Sequence, residues 1–100
     1  MSYYSVLDVT PTSEEWISDY LSAANERVAA HGGRYIARTT SHEQVEGEAQ
    51  AAGLRIIIKW PSLDAAKAFM ADEVYAPHLV NRTAGSVSHH YLIEGIDDLA

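Results

Sequence analysis

Leu54-Arg55-Ile56-Ile57-Ile58-Lys59-Trp60-Pro61-Ser62 is the stretch from which the fold follows. Its first seven residues are apolar at nearly every position, the pattern of a strand central in its sheet. Pro61 ends that strand. Ser62 is placed to cap a helix running to about Asp72, with Leu63, Ala66, Phe69 and Met70 as its buried side. Upstream, Arg34 to Thr40 alternates as a strand should. Tyr35, Ala37 and Thr39 share one face and Arg34, Ile36 and Arg38 the other, so this spacing predicts two guanidinium groups on one side. Gly32 and Gly33 precede it and stop an earlier helix, whose apolar stripe is Trp16, Ile17, Tyr20, Leu21, Ala24 and Val28. Thr12 and Glu15 have the spacing of a capping box at its start. Tyr3 to Val9 forms the first strand, with Tyr3, Leu7 and Val9 on one side and Tyr4 and Val6 on the other.

Downstream, Tyr75 to Ala84 reads as a short helical piece with Pro77 near its start. Val87 to Glu94 then alternates again, setting Val87, His89, Tyr91 and Ile93 against Ser88, His90, Leu92 and Glu94. The order is β-α-β-β-α-β with an extra short helix before the last strand. An α+β domain of that order is the ferredoxin-like plaited sheet, in which both main helices cover one face. No linker or low-complexity tract divides residues 1–96, and the acidic end 97–100, with Asp97 and Asp98, is expected to fray into solvent. The strands carry apolar residues on both sides. The face without helices is therefore expected to pair with a second copy and close a dimeric α/β barrel.

Composition bounds the rest. Of 100 residues 47% are apolar, and because 15 are alanines only 32 larger apolar side chains remain for a core. A chain this short buries roughly two-thirds of its unfolded surface, which favours a homodimer. There are no cysteines, which excludes disulfides, thiolate metal sites and a cysteine nucleophile, and fits a reducing, cytoplasmic setting. Fourteen acidic residues against seven basic ones give a net charge of −7. The cations are scattered and make no basic stripe, so nucleic acid is not an expected partner. No apolar run approaches signal-peptide or membrane-span length, so no membrane partner is expected.

Gly32-Gly33-Arg34-Tyr35-Ile36-Ala37-Arg38, Trp60-Pro61-Ser62 with Ala65, Ala66 and Phe69, then Tyr75, Pro77 and Arg82, and finally Glu94-Gly95 together resemble a small bacterial family. That family is known only as a domain of unknown function within the dimeric α/β-barrel superfamily. The resemblance runs from the first strand to Gly95. It implies a ferredoxin-like subunit whose sheet pairs with a second subunit. It implies no reaction, since the wider superfamily holds cofactor-independent monooxygenases, lactone isomerases and haem enzymes. This chain departs from the family pattern at His89, where an arginine often stands, and at His78, where an aliphatic residue is expected. An imidazole at residue 89 keeps hydrogen bonding and loses the permanent charge and fork of arginine.

Among chemically active groups, the five histidines show no ligand spacing that would hold a metal. His89 and His90 are adjacent on a strand and send their rings to opposite faces. His31 is accounted for as a cation at a helix C-terminus. The sharper expectation is an anion clamp, in which Arg34 and Arg38 face a cavity with Tyr75, Arg82 and His89, and Tyr35 joins these five as a candidate ligand-binding residue. The competing account pairs Arg34 and Arg38 with Glu43, Glu46 or Glu94 at the surface. The functional expectation is a small-molecule-binding homodimer that needs no cofactor and takes a small anionic molecule. The alternatives are a cofactor-independent isomerase or monooxygenase acting on an anionic or phenolic substrate, and a non-catalytic stress or interaction module.

Overall fold

A computed structural model describes residues 2–50 and 52–100; Met1, the first residue of the expected domain, and Ala51 lie outside the described residues. The elements run β1 (Tyr3–Pro11), α1 (Ile17–Ala30), β2 (Arg34–Thr39), β3 (Leu54–Trp60), α2 (Leu63–Met70), α3 (Ala76–Ala84) and β4 (Ser86–Glu94). The four strands form one antiparallel sheet in the order β2-β3-β1-β4. This is the ferredoxin-like arrangement, and the Ile-rich stretch is indeed an inner strand.

Side-chain alternation divides the sheet into a covered and an open face. Ser5, Leu7 and Val9 of β1 and Ile56, Ile58 and Trp60 of β3 point inward, where Ala24 and Val28 of α1, Ala66 and Phe69 of α2, and Tyr75 complete the core. Ser62 caps α2 as expected, its Oγ accepting from the Ala65 amide at 3.1 Å. Gly32 sits at φ +77° after α1, a conformation that favours glycine. Gly33 is needed for space, since a Cβ there would lie 2.5 Å from the Trp60 ring.

Two local expectations are corrected. Thr12 and Glu15 make no capping box, because β1 continues to Pro11 and the Thr12 and Ser13 amides both donate to the Gly85 carbonyl. The helix consequently begins only at Ile17. At its other end His31 does more than complement the helix dipole. Its Nε2 lies 2.7 Å from Asp72 Oδ2, which also accepts from Arg27, while Asp72 Oδ1 accepts the Val74 and Tyr75 amides. Hydrogen bonds from His31, then Arg27, hold the Asp72 carboxyl well below the usual carboxylate range. This cluster ties the end of α1 to the start of α3.

Candidate functional site

The first half of α1 does not pack fully onto the sheet. Trp16, Ile17, Tyr20 and Leu21, from the apolar stripe of that helix, form one wall of a cavity of about 80 Å³. Leu7, Val9, Leu54, Ile56 and Ile58 of the sheet form the opposite wall, and Phe69 and Tyr75 close the inner side. Room of this size exceeds what one water needs and suits a small molecule.

Polar groups enter it from few places. Arg82 is the one buried side chain of α3, only 3% exposed. Its Nη1 donates to Ser88 Oγ at 2.9 Å, its Nε has no partner, and its Cζ lies 5.7 Å from the Tyr20 ring centre. Among the described residues no carboxylate pairs with it, and none lines the cavity. Burying an unpaired guanidinium costs several kcal/mol, on the order expected for any desolvated ion.

Arg38 stands at the solvent edge of the same cavity. Its guanidinium lies 3.8 Å over the Tyr35 ring and donates from Nη1 to Asn25 Oδ1 at 2.6 Å. The Tyr20 and Tyr75 hydroxyls are hydrogen-bonded to each other at 2.7 Å. Burial, reinforced by Tyr75, raises the Tyr20 pKa far above its ordinary value, and burial also raises that of Tyr35. These phenols stay neutral. His90 lines the cavity too, its pKa lowered first by burial and then by the Arg82 charge. Its Nε2 is 2.8 Å from Ser5 Oγ, which in turn accepts from Trp60 Nε1 at 2.8 Å. Indole can only donate, so Ser5 Oγ accepts from Trp60; the hydroxyl is fully buried, and its own proton is satisfied when His90 Nε2 accepts it, the neutral ring then carrying its proton on Nδ1.

The structure thus brings together Tyr35, Arg38, Tyr75 and Arg82 of the six residues singled out from the sequence. It places Arg34 and His89 on the other face of the sheet. For the arginines the cause is a β-bulge. The β2–β3 register steps from Tyr35 opposite Ile58 to Ala37 opposite Ile57, leaving Ile36 as the extra residue. Tyr35 and Arg38 therefore share the inner face, and Arg34, opposite Lys59, faces out beside Pro61. His89 points away from the helices and its Nδ1 lies 2.9 Å from Asp8 Oδ1. The surface pairing of Arg34 and Arg38 with Glu43, Glu46 or Glu94 is also not what forms; among the described residues neither arginine makes a salt bridge. Trp16, Tyr20 and His90 are among the cavity residues that sequence reasoning missed.

A four-stranded antiparallel sheet with helices on one face and a cationic, aromatic-walled cavity between the layers defines a ferredoxin-like α+β protein with room for a small ligand. The chain belongs to the family described as domain of unknown function DUF1330, which it matches over residues 2–96. No curated protein matches it. Among solved structures it resembles a protein of unknown function from Rhodopseudomonas palustris, with a TM-score of 0.78 at 14% identity, covering 96% of this chain and 83% of that one. It also resembles a variant of SnoaB, a cofactor-independent oxygenase from Streptomyces nogalater, with a TM-score of 0.55, 18% identity and coverage of 97% and 96%. A conserved protein of unknown function from Bacteroides thetaiotaomicron, described as a possible oxidoreductase, gives a TM-score of 0.56 at 16% identity, covering 93% of this chain and 96% of that one. At these identities the likeness establishes the fold. No helix among the described residues is long and apolar enough to cross a membrane.

Proposed function

We propose that this chain binds a small amphipathic anion in the cavity between α1 and the sheet, as one ferredoxin-like unit over residues 1–96 within a homodimer. The observation that carries the reading is Arg82, buried at 3% exposure with no carboxylate partner among the described residues and with an unpaired Nε at a largely apolar cavity. A charge held at that cost is offset when a ligand anion arrives. Calorimetric titration with small carboxylates tests it: the native chain should bind and Arg82→Met should not. Equal binding by the two would remove the reading.

The homodimer is supported by the open face, where Val6, Ile57, Val87, Tyr91 and Ile93 stand exposed on β1, β3 and β4. On β4 the apolar set is the outward one, Tyr91 being 65% exposed, whereas the inward set includes Ser88 and His90. A second copy laid on this face would hide a patch that a solitary subunit leaves wet. Sedimentation should find a dimer and Ile57→Glu should return a folded monomer; a monomeric native chain would end this part.

A cofactor-independent isomerase or monooxygenase acting on an anionic or phenolic substrate is the second reading, favoured by the neutral imidazole of His90 in the same cavity as Arg82. It requires the ring to release Ser5 before a lone pair can take a proton. The expected signature is turnover lost in His90→Gln while anion binding persists.

A further inference from the structure

We infer that the ligand carries two anionic groups at the ends of a short apolar spacer, a small dicarboxylate, with Arg82 taking the inner group and Arg38 the group at the mouth. This deepens the proposed anion-binding function and rests on it. Among the described residues, these two arginines are the only ionised side chains lining the cavity, in a chain where acidic residues outnumber basic ones two to one. Two like charges beside one small cavity repel, and neither is relieved by a carboxylate among the described residues that line it. A monoanion would neutralise one of them; a dianion neutralises both.

The placement of the two cations fits this. Arg38 is a long side chain at the surface, yet stacking on Tyr35 at 3.8 Å and the 2.6 Å bond to Asn25 hold its guanidinium in place, leaving further N–H groups for a ligand. Arg82 is fixed at the inner end by Ser88 and the Tyr20 ring. Arg38 lies over the Tyr35 ring and Arg82 beside the Tyr20 ring, and both rings line the same cavity, so the two guanidiniums serve one space rather than remote parts of the molecule. The wall they share, formed by Leu7, Ile56, Ile58 and Phe69, is apolar and offers a spacer methylene contacts only.

The test is titration of the native chain with malonate, succinate, glutarate and adipate, each against the monocarboxylate of the same chain length. One dicarboxylate should bind about tenfold more tightly than its partner, the increment of one charge-assisted contact. Arg38→Met should bring the two within about twofold, and Arg82→Met should abolish the binding of either. If Arg82→Met does not fold, Arg82→Gln, which keeps a donor for Ser88, takes its place. Equal affinity for mono- and dicarboxylates, or a dicarboxylate preference that survives Arg38→Met, overturns this inference and leaves the anion reading standing. Failure of every carboxylate to bind the native chain overturns the two together.

Discussion

Arg82 donates to Ser88 Oγ at 2.9 Å, and that contact, six residues along the chain, is the only hydrogen bond its guanidinium makes among the described residues. A buried cation this poorly compensated contributes little to folding. Arg82→Met keeps the stem's packing and removes the desolvated charge. Chemical denaturation should find stability unchanged or raised, by up to about 2 kcal/mol, in a variant that no longer binds carboxylates. A loss of several kcal/mol would show that the guanidinium is structural.

The pH dependence of stability should report His90. Burial, and then the Arg82 charge, hold its folded pKa below the ordinary histidine value of 6.5, so between the two values the unfolded chain binds the extra proton. Stability attributable to this group is therefore complete above about pH 6.5 and declines as pH falls toward the folded pKa. Protonation also takes away the lone pair that accepts from Ser5. Urea midpoints measured at pH 7.5 and 5.5 should differ in the native chain, and the difference should shrink in His90→Gln. An unchanged slope would mean that the ring titrates freely.

The fold was legible because its signals were local. The Ile-rich run of β3, the glycine pair after α1 and the Ser62 cap each read correctly from a few adjacent residues. The site was only half legible, for two physical reasons. Strict alternation put Arg34 with Arg38, but the bulge at Ile36 inserts one residue and turns Arg38 to the face of Tyr35. A register step of this kind leaves no mark in a sequence of alternating type. In β4 the more apolar set faces outward, so the ring that reaches the cavity is that of His90, while His89, singled out from the family pattern, lies on the open face. Trp16 and Tyr20 fell on a helical apolar stripe that a packed core and a cavity wall produce equally well.

Ser5 connects the buried indole of Trp60 to the imidazole of His90 and is itself fully buried. Ser5→Ala leaves Trp60 Nε1 without an acceptor and His90 Nε2 without a donor, at a cost of about 1–3 kcal/mol. The same change frees the His90 lone pair from its hydrogen bond. If the ring serves as a base, Ser5→Ala should retain or increase turnover while losing stability; a stability loss accompanied by loss of turnover would assign Ser5 a part in proton movement.

Gly85 separates space from backbone freedom. Its φ of −100° is available to any residue, but a Cβ would overlap the Trp16 indole, whose Nε1 donates to the Gly85 carbonyl at 3.0 Å. The same carbonyl accepts the Thr12 and Ser13 amides, so the backbone here cannot move away without loosening the start of α1. In Gly85→Ala the indole must yield, and with it the edge-on contact to Tyr20 on the cavity wall. The expected cost is about 1–3 kcal/mol, together with weaker carboxylate binding and a shift in tryptophan emission. Gly47 supplies the contrast, because it sits at φ +90° in an exposed loop where a Cβ meets only the Gln44 amide at 3.7 Å. Gly47→Ala should cost about 1 kcal/mol through backbone strain and leave ligand binding as it was. Should the two variants affect binding alike, Trp16 would not be the fixed wall that the Gly85 contact makes it.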